Sequence, residues 1–156
     1  MRTEAKAANV AAEVFCNVIE QTAFMFGERT CKDDLPIAGR PFVQAQMSFH
    51  GPLQGTLALA VPRDACLQIA ANVLGMEADD PFVAERATDS LKEIVNVTCG
   101  HILTSLAGDK PVFDLSIPEV SDLDEAGLAE LLADDRTVPF LADDCPVLLR
   151  LALRED

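Results

Sequence analysis

The sequence has no tryptophan and no tyrosine, and its only large rings are 8 phenylalanines. Sites that grip a ligand by ring stacking are therefore scarce. Positive charge is also thin: 12 Lys and Arg stand against 26 Asp and Glu, a formal net charge of −14. Such a chain repels phosphate backbones and anionic headgroups, which argues against nucleic acid and membrane surfaces as partners. No apolar run approaches the roughly 20 residues that cross a bilayer. The opening MRTEAKAANVAAEVF has no compact apolar block ahead of a small-residue cleavage point, so no secretory signal is read and a cytoplasmic protein is expected. Cys16, Cys31, Cys66, Cys99 and Cys145 are scattered, with no CxxC pair and no Cys/His cluster. That argues against zinc and a disulfide framework, and for free buried thiols in a reducing compartment. GxGxxG and GxxxxGK are missing too, so Gly51-Pro52 reads as a turn and not as a phosphate loop.

What is present suits one domain over residues 1–156, with 49% apolar residues to fill its core. The first helix is expected over Ala5–Phe26. Ala11, Val14, Phe15, Val18, Ile19, Thr22 and Phe26 recur on one side, and Gly27 stands as its C-cap. The apolar end AFMF suggests a helix terminus covered on every side. A polar loop over Cys31–Gly39 follows. Val43, Ala45, Met47 and Phe49 then alternate with polar residues, and after Gly51-Pro52 the alternation resumes at Leu53, Gly55, Leu57, Leu59 and Val61. This is a β-hairpin with one wet face. A second helix, capped by Asp64, is expected over Ala65–Leu74 with Gly75 as its stop. A third is expected over Phe82–Ala107. Phe113–Ile117 is a weak strand, Asp124–Ala133 a short acidic helix, and Arg136–Leu141 and Pro146–Arg154 are closing strands. Short links between strands predict an antiparallel sheet with long helices packed on one face, an α+β fold. From Glu119 onward eleven acids face three arginines, a net −8, which serves solubility or attraction to a basic partner surface.

One stretch does more than fold. In DSLKEIVNVTCG, Asp89, Glu93, Asn96 and Gly100 share a stripe, because each helical residue turns about 100°. Leu91, Ile94, Val95, Thr98 and Ile102 lie opposite, where a core belongs. A carboxylate and a carboxamide thus stand one turn apart on the exposed side. A residue with no side chain follows, where another backbone can come close. Lys92 points about 100° away from Glu93 and reads as a surface residue. His101 has no matched Asp, Ser or Cys partner and reads as structural.

Asp89, Glu93 and Asn96, with Pro118 after 21 intervening residues, resemble the signature of the CheC/CheX/FliY family of chemotaxis phosphatases. Gly55 with LALAVP in the hairpin, LGM at the end of the second helix and FMFGE after the first extend the likeness over most of the chain, closest to the CheX-like branch. The resemblance implies a phosphatase acting on the aspartyl phosphate of a CheY-like response regulator. Asn96 would enter the partner's active site and orient the attacking water, and Glu93 would pair with a lysine there. Asp89 and Gly100 would contact the partner. No cofactor of its own is implied, since the Mg²⁺ belongs to the response regulator. CheC-type members carry a second motif in the first helix. Here that helix offers Glu13 and Asn17, spaced one residue too far. One site per chain is therefore expected, in a homodimer paired through its sheets. The competing readings are a non-catalytic docking or scaffold module and a self-contained small-molecule hydrolase. The hydrolase lacks a nucleophile, base and orienting group in any motif.

Overall fold

The computed structural model describes the backbone of residues 2–154 and the side chains of residues 5–154. Glu155 and Asp156, the last two acids of the tail, lie outside the described residues. Along the chain come α1 (Arg2–Ala23), β1 (Gly27–Arg29), a 3-10 turn (Lys32–Asp34), β2 (Phe42–His50), β3 (Gln54–Pro62), α2 (Arg63–Leu74) and α3 (Pro81–Ala107). β4 (Asp114–Leu115), β5 (Glu119–Leu123), α4 (Glu125–Ala133), β6 (Thr137–Ala142) and β7 (Cys145–Arg154) complete it. Every strand pairing is antiparallel, in the order β1-β6-β7-β3-β2-β4, with β5 beside β4 on the same side of β2.

The pleat decides the layers. Val43, Ala45, Met47 and Phe49 of β2, Leu57 and Leu59 of β3, and Leu149 of β7 are buried under α1, α2 and α3 in one core. Phe15 of α1 meets Phe140 of β6 with ring centroids 5.2 Å apart, a tilted pair worth about 0.5–1.5 kcal/mol beyond its buried area. Phe42, Ala60 and Leu148 point to the other face, where Leu131 of α4 and Leu35 of the 31–41 loop cover them. So the three long helices share one face, and the short α4 caps part of the other. Gly55 has no room for a side chain: a Cβ there would come within 2.3 Å of the Ala152 carbonyl oxygen across the β3–β7 ladder.

Four expectations need correcting. α1 stops at Ala23, because Phe24 adopts a left-handed backbone (φ 55°) and the Met25 N–H reaches back to the Ile19 carbonyl at 3.2 Å. Gly27 does not cap that helix but opens β1, paired with Ala142. The terminus is not covered on every side either: Met25 is buried, whereas Phe24 and Phe26 are 69% and 66% exposed. α2 begins at Arg63, with Pro62 at its N-cap position and no side-chain cap bond there. The Asp64 carboxylate instead accepts from Arg40 Nη2 at 3.0 Å and from the Ala65 N–H at 3.0 Å. The Arg40 bond holds the Asp64 pKa below the ordinary carboxylate range. Gly75 does end α2, in the left-handed conformation that only a residue without Cβ adopts without cost.

Candidate functional site

α3 carries the candidate residues, and its ends fix where its side chains point. Asp80 caps it by accepting from the Phe82 N–H at 2.9 Å, and Pro81 follows where no N–H is needed. Gly108 closes the other end with its N–H on the Thr104 carbonyl at 2.8 Å. Between those ends Leu91, Ile94, Val95, Thr98 and Ile102 are buried, as their spacing requires. Asp89, Glu93 and Asn96 are exposed, and Gly100 is half-buried. A Cβ built on Gly100 would meet nothing within 4 Å. The absence of a side chain there is thus not forced by packing inside this chain.

The side chains of Asp89, Glu93 and Asn96 make no hydrogen bond or ion pair with any described residue. Their donors and acceptors face solvent. A carboxylate (acceptor) and a carboxamide (donor and acceptor) project from a helix whose opposite side is locked into the core. A partner that takes them up has no internal bonds to break, and the rigid helix sets their spacing.

Pro118 lies far along the chain but close in space. The strand that borders β2 is broken: β5 pairs with Phe42–Gln46, β4 with Phe49–His50, and Ser116–Pro118 lies between them. Proline has no N–H to give the ladder, so the break falls where its residue type demands. Ser116 bridges it, donating its N–H to the Ser48 carbonyl at 2.9 Å while its Oγ accepts from the Ser48 N–H at 2.8 Å. Ser116, Ile117, Pro118 and Lys92 line one groove of about 770 Å³. Lys92 is therefore more than a bystander: it is half-buried, one turn before Asn96, on the side of α3 that looks toward Pro118.

Other chemistry is weak around α3. Cys99 lies inside the motif, but burial pushes its thiol up to about 11, and the same holds for Cys66 on α2. Neither is a thiolate nucleophile near neutral pH. His101 is exposed. Among the described residues no group of three or more His, Cys, Asp or Glu is placed to hold a metal ion, and no helix is long and apolar enough to cross a membrane.

Against known families, residues 43–140 match the model of chemotaxis phosphatase CheX, a span that includes the whole of α3 and Pro118. Among solved structures, the chemotaxis protein CheX from Vibrio vulnificus superposes with a TM-score of 0.71 at 21% identity, covering 97% of this chain and 98% of that one. CheX in the CheX–CheY–BeF3–Mg²⁺ complex from Borrelia burgdorferi gives 0.67 at 18% identity, over 94% of this chain and 97% of that one. Thermotoga maritima FliY gives 0.59 at 14% identity, over 94% and 86%. At these identities the likeness establishes a shared fold. No curated protein matches the chain.

Proposed function

This chain belongs to the chemotaxis phosphatase CheX family, and from that premise we propose that it accelerates hydrolysis of the aspartyl phosphate on a CheY-like response regulator. The observation that carries the reading is the free pair on α3: Glu93 and Asn96 exposed, unpaired, and held by a capped helix whose back is core. The solved complex of a similar fold holds CheY, BeF3 and Mg²⁺, which supports a receiver domain as the partner.

In this reading the chemistry asks little of the chain. Phosphoryl transfer is governed by positioning and charge control, and an acyl phosphate is already labile. The Asn96 carboxamide oxygen accepts from a water and holds it in line with the phosphorus. A neutral amide suits that place, since a carboxylate beside a dianionic phosphoryl group would be repelled. Glu93 pairs with a lysine of the receiver and sets the depth to which α3 enters. Asp89 borders the contact, and Gly100 leaves space for the partner's backbone. The divalent cation belongs to the receiver, and no resident cofactor is assigned to this chain. Two copies pair as a homodimer with one site each, which sedimentation of the purified protein checks.

The test is the decay of receiver domains from the same genome, each charged with acetyl phosphate. Wild type is expected to shorten the lifetime of one of them, and Asn96→Ala to lose that effect with unchanged thermal unfolding. Glu93→Ala is expected to raise the half-saturating concentration more than it lowers the maximal rate. Equal decay with wild type and Asn96→Ala would refute the assignment. Tight binding without faster decay would replace it with a docking module.

A further inference from the structure

The stripe on α3 does not begin at Asp89. Counting back at the same alternation of three and four residues reaches Arg86 and then Phe82, so Phe82, Arg86, Asp89, Glu93, Asn96 and Gly100 form one straight line. Two of its members break the rule that governs the rest of the helix. Phe82 is a large apolar side chain left 40% exposed, and Arg86 is the one base on a line otherwise acidic or neutral. The Arg86 guanidinium lies 5.0 Å from the centre of the Phe82 ring. That stacking presets both side chains at small further cost in rotamer freedom. Arg86 makes no ion pair with any described residue, although Glu85 and Asp89 neighbour it on the helix. Phe82 gives its own N–H to the Asp80 cap, so the backbone that carries the pair is fixed at the start of α3.

We propose that Phe82 and Arg86 are the anchor by which this chain selects its receiver domain, docking an apolar side chain and a carboxylate on the same partner face that Asn96 enters. The inference rests on the response-regulator reading and adds to it a specificity element outside the Glu93–Asn96 motif. Charge decides the occupant. Glu93 and Asp89 call for basic groups opposite, whereas Arg86 calls for an acid displaced along the helix. A partner must therefore match a pattern of apolar, acidic and then basic groups. The span from Phe82 to Asn96 is about 21 Å at 1.5 Å per residue. That fits across one small domain, about 30 Å in diameter for 100 residues. Aromatic and arginine side chains are also the types that most often carry interface energy.

The experiment measures binding and decay separately. Binding uses a receiver domain held in its phosphorylated-like state by beryllofluoride; decay uses the same domain charged with acetyl phosphate. Arg86→Glu and Phe82→Ala are each expected to weaken binding by about tenfold, the scale of one good interface residue. The half-saturating concentration for decay should rise in parallel with the maximal rate unchanged. Arg86→Lys, which keeps the charge but loses the stacking fork, should fall between. Thermal unfolding of each variant checks that the helix start is intact. Affinities within twofold of wild type in both variants, with Asn96→Ala inactive, would overturn the anchor alone. A drop in maximal rate with unchanged affinity would overturn it as well. If wild type binds and Arg86→Glu does not, yet neither speeds decay, the anchor stands and the phosphatase reading falls.

Discussion

α1 and α3 lie on the same face of the sheet, and each carries a Glu and an Asn on its outer side, but they are not equivalent. In α3 the pair is Glu93 and Asn96, three residues apart; in α1 it is Glu13 and Asn17, four apart. Three residues turn a helix by about −60° and four by about +40°, so the amide falls on opposite sides of the acid in the two helices. The surroundings differ too. On α3 the motif side chains bond to no described residue. On α1 the Asn9 side chain, one turn before Glu13, accepts from Arg29 Nη1 of β1 at 2.9 Å, and Cys16 is half-buried with its S–H on the Gly27 carbonyl at 3.5 Å. The small strand β1 therefore occupies the flank that α3 leaves open. On the proposed reading, a site on this fold needs the right spacing and also a bare helix side.

That contrast can be broken at several points. The largest effect is expected at the amide itself. Asn96→Ala should cost roughly 100-fold or more of the acceleration, the scale for losing one group that orients a reacting atom, while Asn17→Ala costs none. The readout is phosphoreceiver decay at saturating protein. Next comes an attempt to repair α1. Cys16→Asn restores the three-residue spacing from Glu13 but puts a larger polar group against Gly27, where a Cβ would already lie 3.3 Å from the sulfur. It should lower stability by about 1–3 kcal/mol in a denaturant titration and yield no second activity, even with Asn96→Ala in the same chain.

A control that lies on neither helix comes third. The Asp134 carboxylate accepts from Arg136 Nη2 at 2.8 Å and from Arg150 Nη1 at 3.5 Å. The Arg136 bond, with help from Arg150, lowers its pKa to about 2. A carboxyl whose folded pKa is depressed stabilises the fold above its ordinary value, and that contribution disappears as pH falls through the folded one. Asp134→Asn should therefore cost about 1 kcal/mol at pH 7, after allowance for solvent screening. The two unfolding curves should converge between about pH 4 and pH 2. Activity per folded molecule should not change. The smallest effect is at Gly100. Gly100→Ala fills open space in a helix interior and should add about 0.5–1 kcal/mol, a rise of roughly 1–4 °C in Tm. On the proposed docking it should also raise the half-saturating receiver concentration, the added methyl group meeting the partner's backbone.

Much of this was legible in the sequence, and the reasons are local. α3 announces itself through apolar residues at helical spacing, and its expected span of Phe82–Ala107 holds except that the helix opens one residue earlier, at Pro81 behind the Asp80 cap. The β2–β3 hairpin follows from alternation alone. What escaped is defined by distant pairing. β1 is Gly27-Glu28-Arg29, which has no strand pattern and exists because it meets β6. β5 is Glu119–Leu123, mostly exposed, and is a strand because β2 offers it an edge. The end of α1 misled because AFMF continues the apolar run while Phe24 turns the backbone out of the helix. The exposed line from Asp89 to Gly100 was readable from periodicity. Its continuation to Phe82 was not followed, because phenylalanine at a helix start reads as core. That Lys92 and Pro118 line one groove depends on the broken sheet edge, which no local signal marks.

The cap on α3 also decides which changes in chain length the protein tolerates. A residue added within Gly75–Asp80 lengthens a surface connector and leaves the helix phase alone, because phase is counted from Asp80. One residue added between Asp80 and Asn96 turns every later side chain by about 100°, swinging the amide off its line and dragging core residues toward water. Descendants of this gene are therefore free to vary the connector, while the stretch from Asp80 to Asn96 keeps a constant length even where its letters drift.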